Sequence, residues 1–205
     1  RVRYISLLDG IDTGVESTAN DITPFRAIMN DMYAKDISKK IKSVKRDKQR
    51  KGQFIGGKPM YGYKMHPTEK NKIVIDEEVA PVVRRIFAMA LEGISCRQIA
   101  VQLNEEHIPT PATYAGLTLS AKGAYSGQWS AERITEMLKN ETYIGHMVQG
   151  RTVKISYKSK KCLRQARENW VVVEGTHEPL IDAETFQKVQ MLVSSRKRTK
   201  SRTYD

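Results

Sequence analysis

The spacing of apolar positions changes period several times along this chain. Residues 2–8, VRYISLL, are a short apolar, β-rich run bounded by Asp9-Gly10, and they predict a buried strand. Residues 9–21 are turn-rich. The period then becomes helical: Phe25, Ile28, Met29, Met32, Ile37, Ile41 and Val44 predict one stripe on a long helix. Asp21 or Thr23 suits its cap, and Pro24 suits its first helical position. Asp31 and Lys35 make a favourable i,i+4 pair. The helix is expected to stop near Gly52. Gly56, Gly57, Pro59 and Gly62 then interrupt any period, so residues 52–67 predict an extended linker. Its GGKP string lacks the GxxxxGK[ST] spacing and the following helix that a phosphate loop needs.

Helical periodicity returns at Asp76. Val79, Val82, Val83, Ile86, Phe87 and Ala90 form one face, and Gly93 ends it. Pro81 leaves the start of this helix open. Ser95 and Gln98 form a capping box, with Ile94 and Ile99 as a hydrophobic staple. Ser130 caps a further helix, stapled by Trp129 and Ile134, and a last helix starts at Asp182 with Ile181 and Phe186. Between these two, 145–155 and 170–175 predict strands. The fold class expected is α+β: a long N-terminal helix and an extended linker leading to a mixed helical domain with a small β-sheet.

The helix, Gly-Ile-Ser turn and helix over 83–104 look like the front of a helix-turn-helix. Residues 105–129, rich in Pro, Thr, Gly and Ala, intervene before the helix at 130–140. That helix could still enter a DNA groove, with Arg133 its best base-reading residue. Arg133 serves equally well as a balance for Glu132 and Glu136. Trp129 is expected as a core anchor, and Tyr143 suits either a phosphate contact or the core.

Charge sharpens this picture. The net charge is +12 over 205 residues, with a pI near 9.7. Residues 35–58 hold ten Lys/Arg against two acids, 151–167 hold seven and 193–202 hold five with no acid. These three blocks carry +20, so the rest of the chain is −8. Ordinary solvated faces mix signs, so one-sign blocks point to phosphate contacts. The candidate DNA-binding residues are Lys39, Lys42, Lys45, Arg46, Lys48, Arg50, Lys51 and Lys58, then Arg97, Ser130, Arg133, Lys139 and Tyr143, then Lys154, Lys158, Lys160 and Lys161.

No run is long and apolar enough to span a membrane, and the start lacks the features of a signal peptide. Cys96 and Cys162 form no CxxC pair, which excludes a disulfide framework or a cysteine zinc site within this chain and fits a reducing cytoplasm. Cys96 is expected to be structural. His66, His107, His146 and His177 show no HxxH or HExxH spacing. No metal or other cofactor is expected, and no catalytic residue is assigned.

Several strings in order resemble the large serine recombinases, which include phage integrases and conjugative-transposon recombinases: YISLLDGIDT, NDITPFRAIMNDMYAKDISKKIKS, GKPMYGY, IFAMALEGISCRQIAVQLNEEHIPTP and WSAERITEMLKNETYIGHMVQG. The resemblance implies that residues 1–51 are the end of a resolvase-type catalytic domain, with a helix that dimerises and then runs onto DNA. It implies a linker at 52–72, a DNA-binding recombinase domain at 73–195, and a basic tail at 196–205 leading to a zinc-ribbon domain. The family's nucleophilic serine and arginine cluster would precede residue 1. In such a protein that serine forms a 5′-phosphoserine link to DNA, and arginines stabilise the charge of the transition state. The partners implied are double-stranded DNA, a second copy, and a tetramer in the synapse. A non-enzymatic dimeric regulator of transcription would explain the charge equally well. RNA binding has no aromatic RNP motif to support it.

Overall fold

A computed structural model describes residues 3–6, 11–12, 14, 18–117 and 127–195. In chain order the elements are β1 (Ile5–Ser6), β2 (Ile11–Asp12), α1 (Thr18–Arg50), β3 (Tyr63–Met65), β4 (Ile73–Ile75), α2 (Ala80–Leu91), α3 (Cys96–Glu105), α4 (Pro111–Tyr114), α5 (Ala131–Leu138), β5 (Met147–Gln149), β6 (Thr152–Lys154), β7 (Cys162–Arg164), β8 (Val171–Val173) and α6 (Ala183–Ser195). The chain is α+β, and it divides into two compact units. One holds residues 1–47 and 151–166, the other 48–150 and 167–205. The expected basic tail at 196–205 lies outside the described residues.

The first unit contains the β1–β2 pair, most of α1 and the β6–β7 hairpin. Of the strand expected to be buried over 2–8, the described residues show Ile5–Ser6 in a strand, and Ile5 is 52% exposed. Among the described residues this strand pairs with β2, in the register Ile5–Asp12 and Ser6–Ile11. Helix α1 starts at Thr18, earlier than the expected caps, so Pro24 lies inside it and not at its first position. A proline there forfeits one backbone bond to the preceding turn, which the helix on both sides outweighs. With 33 residues α1 is about 50 Å long.

The apolar residues of α1 do not form one straight stripe. Phe25, Met29, Tyr33, Ile37 and Ile41 follow steps of four, and each step advances the face by about 40°. The stripe therefore winds around the helix. All five residues are exposed, at 52–69%. The end of α1 is where the glycine pattern places it. Gly52 adopts φ +68°, its N–H donates to the Gln49 carbonyl at 2.9 Å, and the Gln53 N–H donates to the Lys48 carbonyl at 3.0 Å.

The second unit is built on α2, α3, α5 and α6. Val83, Ile86, Phe87, Ile99, Leu103, Ile134, Leu138 and Val189 form its centre, each at most 1% exposed. Helix α2 begins at Ala80 with Pro81 in its first turn, and the carbonyl of Asp76 accepts from both Val79 and Ala80 N–H. The capping box of Ser95 and Gln98 forms, Ser130 accepts from Arg133 N–H, and Asp182 accepts from Thr185 N–H at 2.7 Å. The segment expected as extended linker is non-helical, yet Phe54, Tyr61 and Tyr63 belong to this core, and β3 pairs with β4. The single strand expected over 145–155 is two strands, broken at Gly150 with φ +75°. β5 pairs with β8 in this unit, and β6 pairs with β7 in the other.

Trp129 joins α3 to α5 across the long intervening loop. Its indole N–H donates to the Ile108 carbonyl at 2.9 Å, and Tyr61 meets its ring edge-on at 5.6 Å. Asn104 brackets its backbone, accepting from Trp129 N–H at 2.8 Å and donating to its carbonyl at 3.0 Å. Trp129→Ala should therefore destabilise the unit by about 3–5 kcal/mol, and Asn104→Ala by about 1–3 kcal/mol, in urea unfolding.

His177 adds a pH dependence. Its Nε2–H donates to the Thr142 carbonyl at 2.8 Å, Nδ1 faces the Thr176 hydroxyl at 2.8 Å, and the ring meets Tyr63 edge-on. Burial holds its pKa below the ordinary histidine value, against the hydrogen bond to Thr142, which raises it. The unfolded chain thus protonates first. Thermal stability should be full above about pH 6.5 and fall as the pH drops from there toward the lowered folded value. His177→Gln should flatten that part of a Tm–pH profile.

Candidate nucleic-acid interface

Helical geometry sorts the basic residues of α1. Lys35, Lys39, Lys42, Arg46 and Arg50 recur at steps of three and four, so they share one face over about 22 Å. Ile37, Ile41 and Val44 lie on the opposite side. Lys39, Lys42, Lys45, Arg46, Arg50 and Lys51 are all exposed, and Lys48 is half-buried. Asp36 is committed to Lys40 at 2.8 Å. A row of cations about 5–6 Å apart suits a polyanion, because each can neutralise a phosphate and release its counterion.

The second basic block is ordered as a hairpin. β6 and β7 pair in the register Thr152–Arg164, Val153–Leu163 and Lys154–Cys162. Lys154 and Arg164 therefore share one face, and Val153 and Leu163 the other. The turn is held by backbone bonds to Ser156 and by the Ile155 N–H, which donates to the Lys161 carbonyl at 3.2 Å. Lys154, Lys160, Lys161 and Arg164 are exposed. Lys158 differs from them: its ammonium lies 2.6 Å from Asp31 Oδ1 on α1. The Tyr157 hydroxyl donates to the same oxygen at 2.7 Å. Lys158 first, and then Tyr157, hold the Asp31 carboxyl below the usual aspartate range.

In the second unit the expected contacts are more dispersed. Arg97 is exposed on the outer surface of α3, near Val101. Arg133 on α5 is only half-exposed, and Glu132 and Glu136 are exposed on the same helix. The start of α5 is already capped. Ser130 accepts a backbone N–H there, and the Glu132 carboxyl is held below its usual range by its own backbone N–H and by Ser130. Lys139 is exposed at the other end, and the Lys58 ammonium donates to the Ala115 carbonyl at 2.5 Å. Tyr143 is a correction to the expected phosphate contacts. It is 1% exposed, and its hydroxyl donates to the Tyr61 carbonyl at 3.0 Å, so it is a core residue. Trp129 is a core anchor, as its staple position predicts.

Three features were missed in the sequence: Arg164 as part of the hairpin's basic face, Tyr157 as a partner of Asp31, and β7 itself. The alternation of VKI and CLR about the polar string SYKSK carries the signal for that hairpin. Among the described residues, no three His, Cys, Asp or Glu converge as metal ligands, and no helix is long and apolar enough to cross a membrane.

An uncharacterised protein of Bacillus subtilis (strain 168), YefB, is 34% identical over 80 residues, which is 39% of this chain and 27% of that protein. A crystal structure of an LSR–DNA complex covers 76% of this chain and 38% of its own, at 23% identity and TM-score 0.47. A structure from work on the sequence requirements of the Listeria innocua prophage attP site covers 76% and 51%, at 23% identity and TM-score 0.46. The chain thus spans between about a quarter and about half of the length of these relatives. The Recombinase family model matches residues 77–196, more than half of the chain. With that match over the helical unit, the chain belongs to the Recombinase family, the large serine recombinases that its ordered motifs resemble.

Proposed function

We propose that this chain is the DNA-binding portion of a site-specific recombinase and holds attachment-site DNA while a catalytic domain cuts and rejoins it. The observation that carries this reading is the row Lys39, Lys42, Arg46 and Arg50 on one face of a continuous helix, opposite the apolar residues Ile37, Ile41 and Val44. Such a helix can offer one side to protein and the other to duplex phosphates. In the proposed division of labour, α1 and the chain after it supply affinity, and the α2–α3–α5 unit supplies sequence preference. Cleavage through a 5′-phosphoserine belongs to the catalytic domain that the resemblance implies, with strand exchange in a tetramer.

The exposed residues Phe25, Ile28, Met29 and Met32 are the proposed contact with a second copy. Four large apolar side chains on adjacent turns form a surface that monomers seldom leave open.

Duplex binding should be steeply salt-dependent. With about six to ten phosphates contacted, affinity should fall about 10³–10⁵-fold between about 50 and 200 mM salt. A flat response in fluorescence anisotropy would refute the phosphate role of the basic blocks. Lys42, Lys45, Arg46 and Lys48 changed together to Ala should weaken every duplex to a similar degree.

Arg133→Ala should act differently and relax sequence preference. A bidentate Arg–guanine contact is worth about 1–3 kcal/mol of discrimination. Selection from a randomised duplex pool reads this out. Unchanged preference would assign Arg133 to charge balance within α5.

A further inference from the structure

We propose that the β6–β7 hairpin is a second phosphate-binding arm, fixed beside α1 by Asp31 acting as a positioning residue. This rests on the DNA reading above. Asp31 is one of few acids near a strongly basic surface, and for a polyanion it should be a liability. Yet it accepts from two consecutive residues of the hairpin turn, Tyr157 at 2.7 Å and Lys158 at 2.6 Å. Ser38, two turns along the same face of α1, is the other half-buried residue between Pro24 and Asp47. The hairpin turn thus meets α1 at Asp31, while Phe25, Met29, Tyr33, Ile37 and Ile41 remain exposed.

The strands do the rest. With the turn pinned, the register fixes Lys154 and Arg164 on a common face, with Lys160 close to the turn. These three cations and the Lys35, Lys39 and Lys42 row belong to one compact unit. A free hairpin would have to lose its freedom on meeting DNA, which subtracts from affinity, whereas a pinned one has already lost it. In this assignment Lys158 contributes to the clasp and not to phosphate binding. Arg164, absent from the contacts expected from sequence, takes its place.

The test uses the sign of a substitution. Asp31→Asn removes a negative charge and frees Lys158. Coulomb's law alone then predicts tighter binding of any duplex. A positioning role predicts the reverse: about three- to tenfold weaker binding of a mixed-sequence 30-base-pair duplex at about 100 mM salt, with a salt slope shallower by about 2–3 as the hairpin contacts are lost. Tyr157→Phe changes no charge and should move affinity in the same direction by less. In a chain already carrying Lys154→Ala, Lys160→Ala and Arg164→Ala, Asp31→Asn should have no further effect, since the arm it positions has no contacts left to lose.

Equal or tighter binding by Asp31→Asn overturns the proposal. So does an undiminished loss in the triple-alanine background, because Asp31 would then act through something other than the hairpin. Amide exchange at Val153, Ile155 and Leu163 gives a second readout, and it should quicken in Asp31→Asn and Tyr157→Phe. A wild-type chain that fails to bind the duplex would refute the DNA reading itself, which is a different outcome from wild-type binding that Asp31→Asn leaves unchanged.

Discussion

The second unit depends on how a single tryptophan is held. Between α3 and α5 the chain makes a detour of some 25 residues, and a detour of that length offers no local geometry to fix the angle at which α5 returns. Trp129 supplies the constraint. Its backbone is tied at both polar groups to the Asn104 side chain, its indole N–H is satisfied by Ile108, and its ring is 3% exposed. A buried aromatic with every polar group satisfied stabilises both by area and by avoiding an orphaned donor. The residue that precedes the α5 cap is therefore welded to the end of α3.

The same logic brings the segment after α1 into the core. Tyr61 packs edge-on against both Trp129 and Tyr114, while the Tyr143 hydroxyl takes the Tyr61 carbonyl. The Tyr63 hydroxyl donates to Glu178 and accepts from Leu180 N–H. Burial lifts the Tyr61 and Tyr63 pKa values to about 12. Gly62, between them, has φ +97°, and a Cβ there would lie 2.7 Å from Leu180 Cδ1. The aromatics that flank this glycine can both point inward only because it leaves that space open.

How much of this is legible in the sequence depends on the range of the interaction. Caps are local, and Ser95, Ser130, Asp182 and the glycine after α1 all do what their spacing implies. The four core helices are likewise visible as periodic apolar faces. What fails is long-range. β3 and β4 are three-residue strands with too little periodicity to announce themselves. Tyr143 sits in a 3-10 turn, and its burial is settled by Tyr61, 82 residues away. The break at Gly150 separates two strands that look continuous, because alternation cannot show that β5 and β6 belong to different sheets. In the candidate interface the cations themselves are legible. Their faces are not, since those follow from the continuity of α1 through Pro24 and from a hairpin pairing that excludes no residue by composition.

Ion pairing explains why the excess charge ends up where it does. In the second unit acids are spent close to cations: Arg85 with Glu106, Arg167 with Glu141, Lys188 with Glu184 and Lys72 with Glu69. On the latter half of α1 the acids are Asp36 and Asp47 alone. Exposed pairs of this kind contribute little to stability, so their distribution is poorly explained by folding. Crowding like charges on one helix face costs stability through self-repulsion, and that cost is tolerable only away from a packed core. Helix α1 meets this condition, being exposed at most of its positions between Pro24 and Arg50. The +12 of the chain is thus no general property of its surface. Two of its three basic blocks lie along α1 with the chain after it and on the hairpin, where a polyanion can relieve the repulsion, and Asp31, close to those cations, is held in a specific contact.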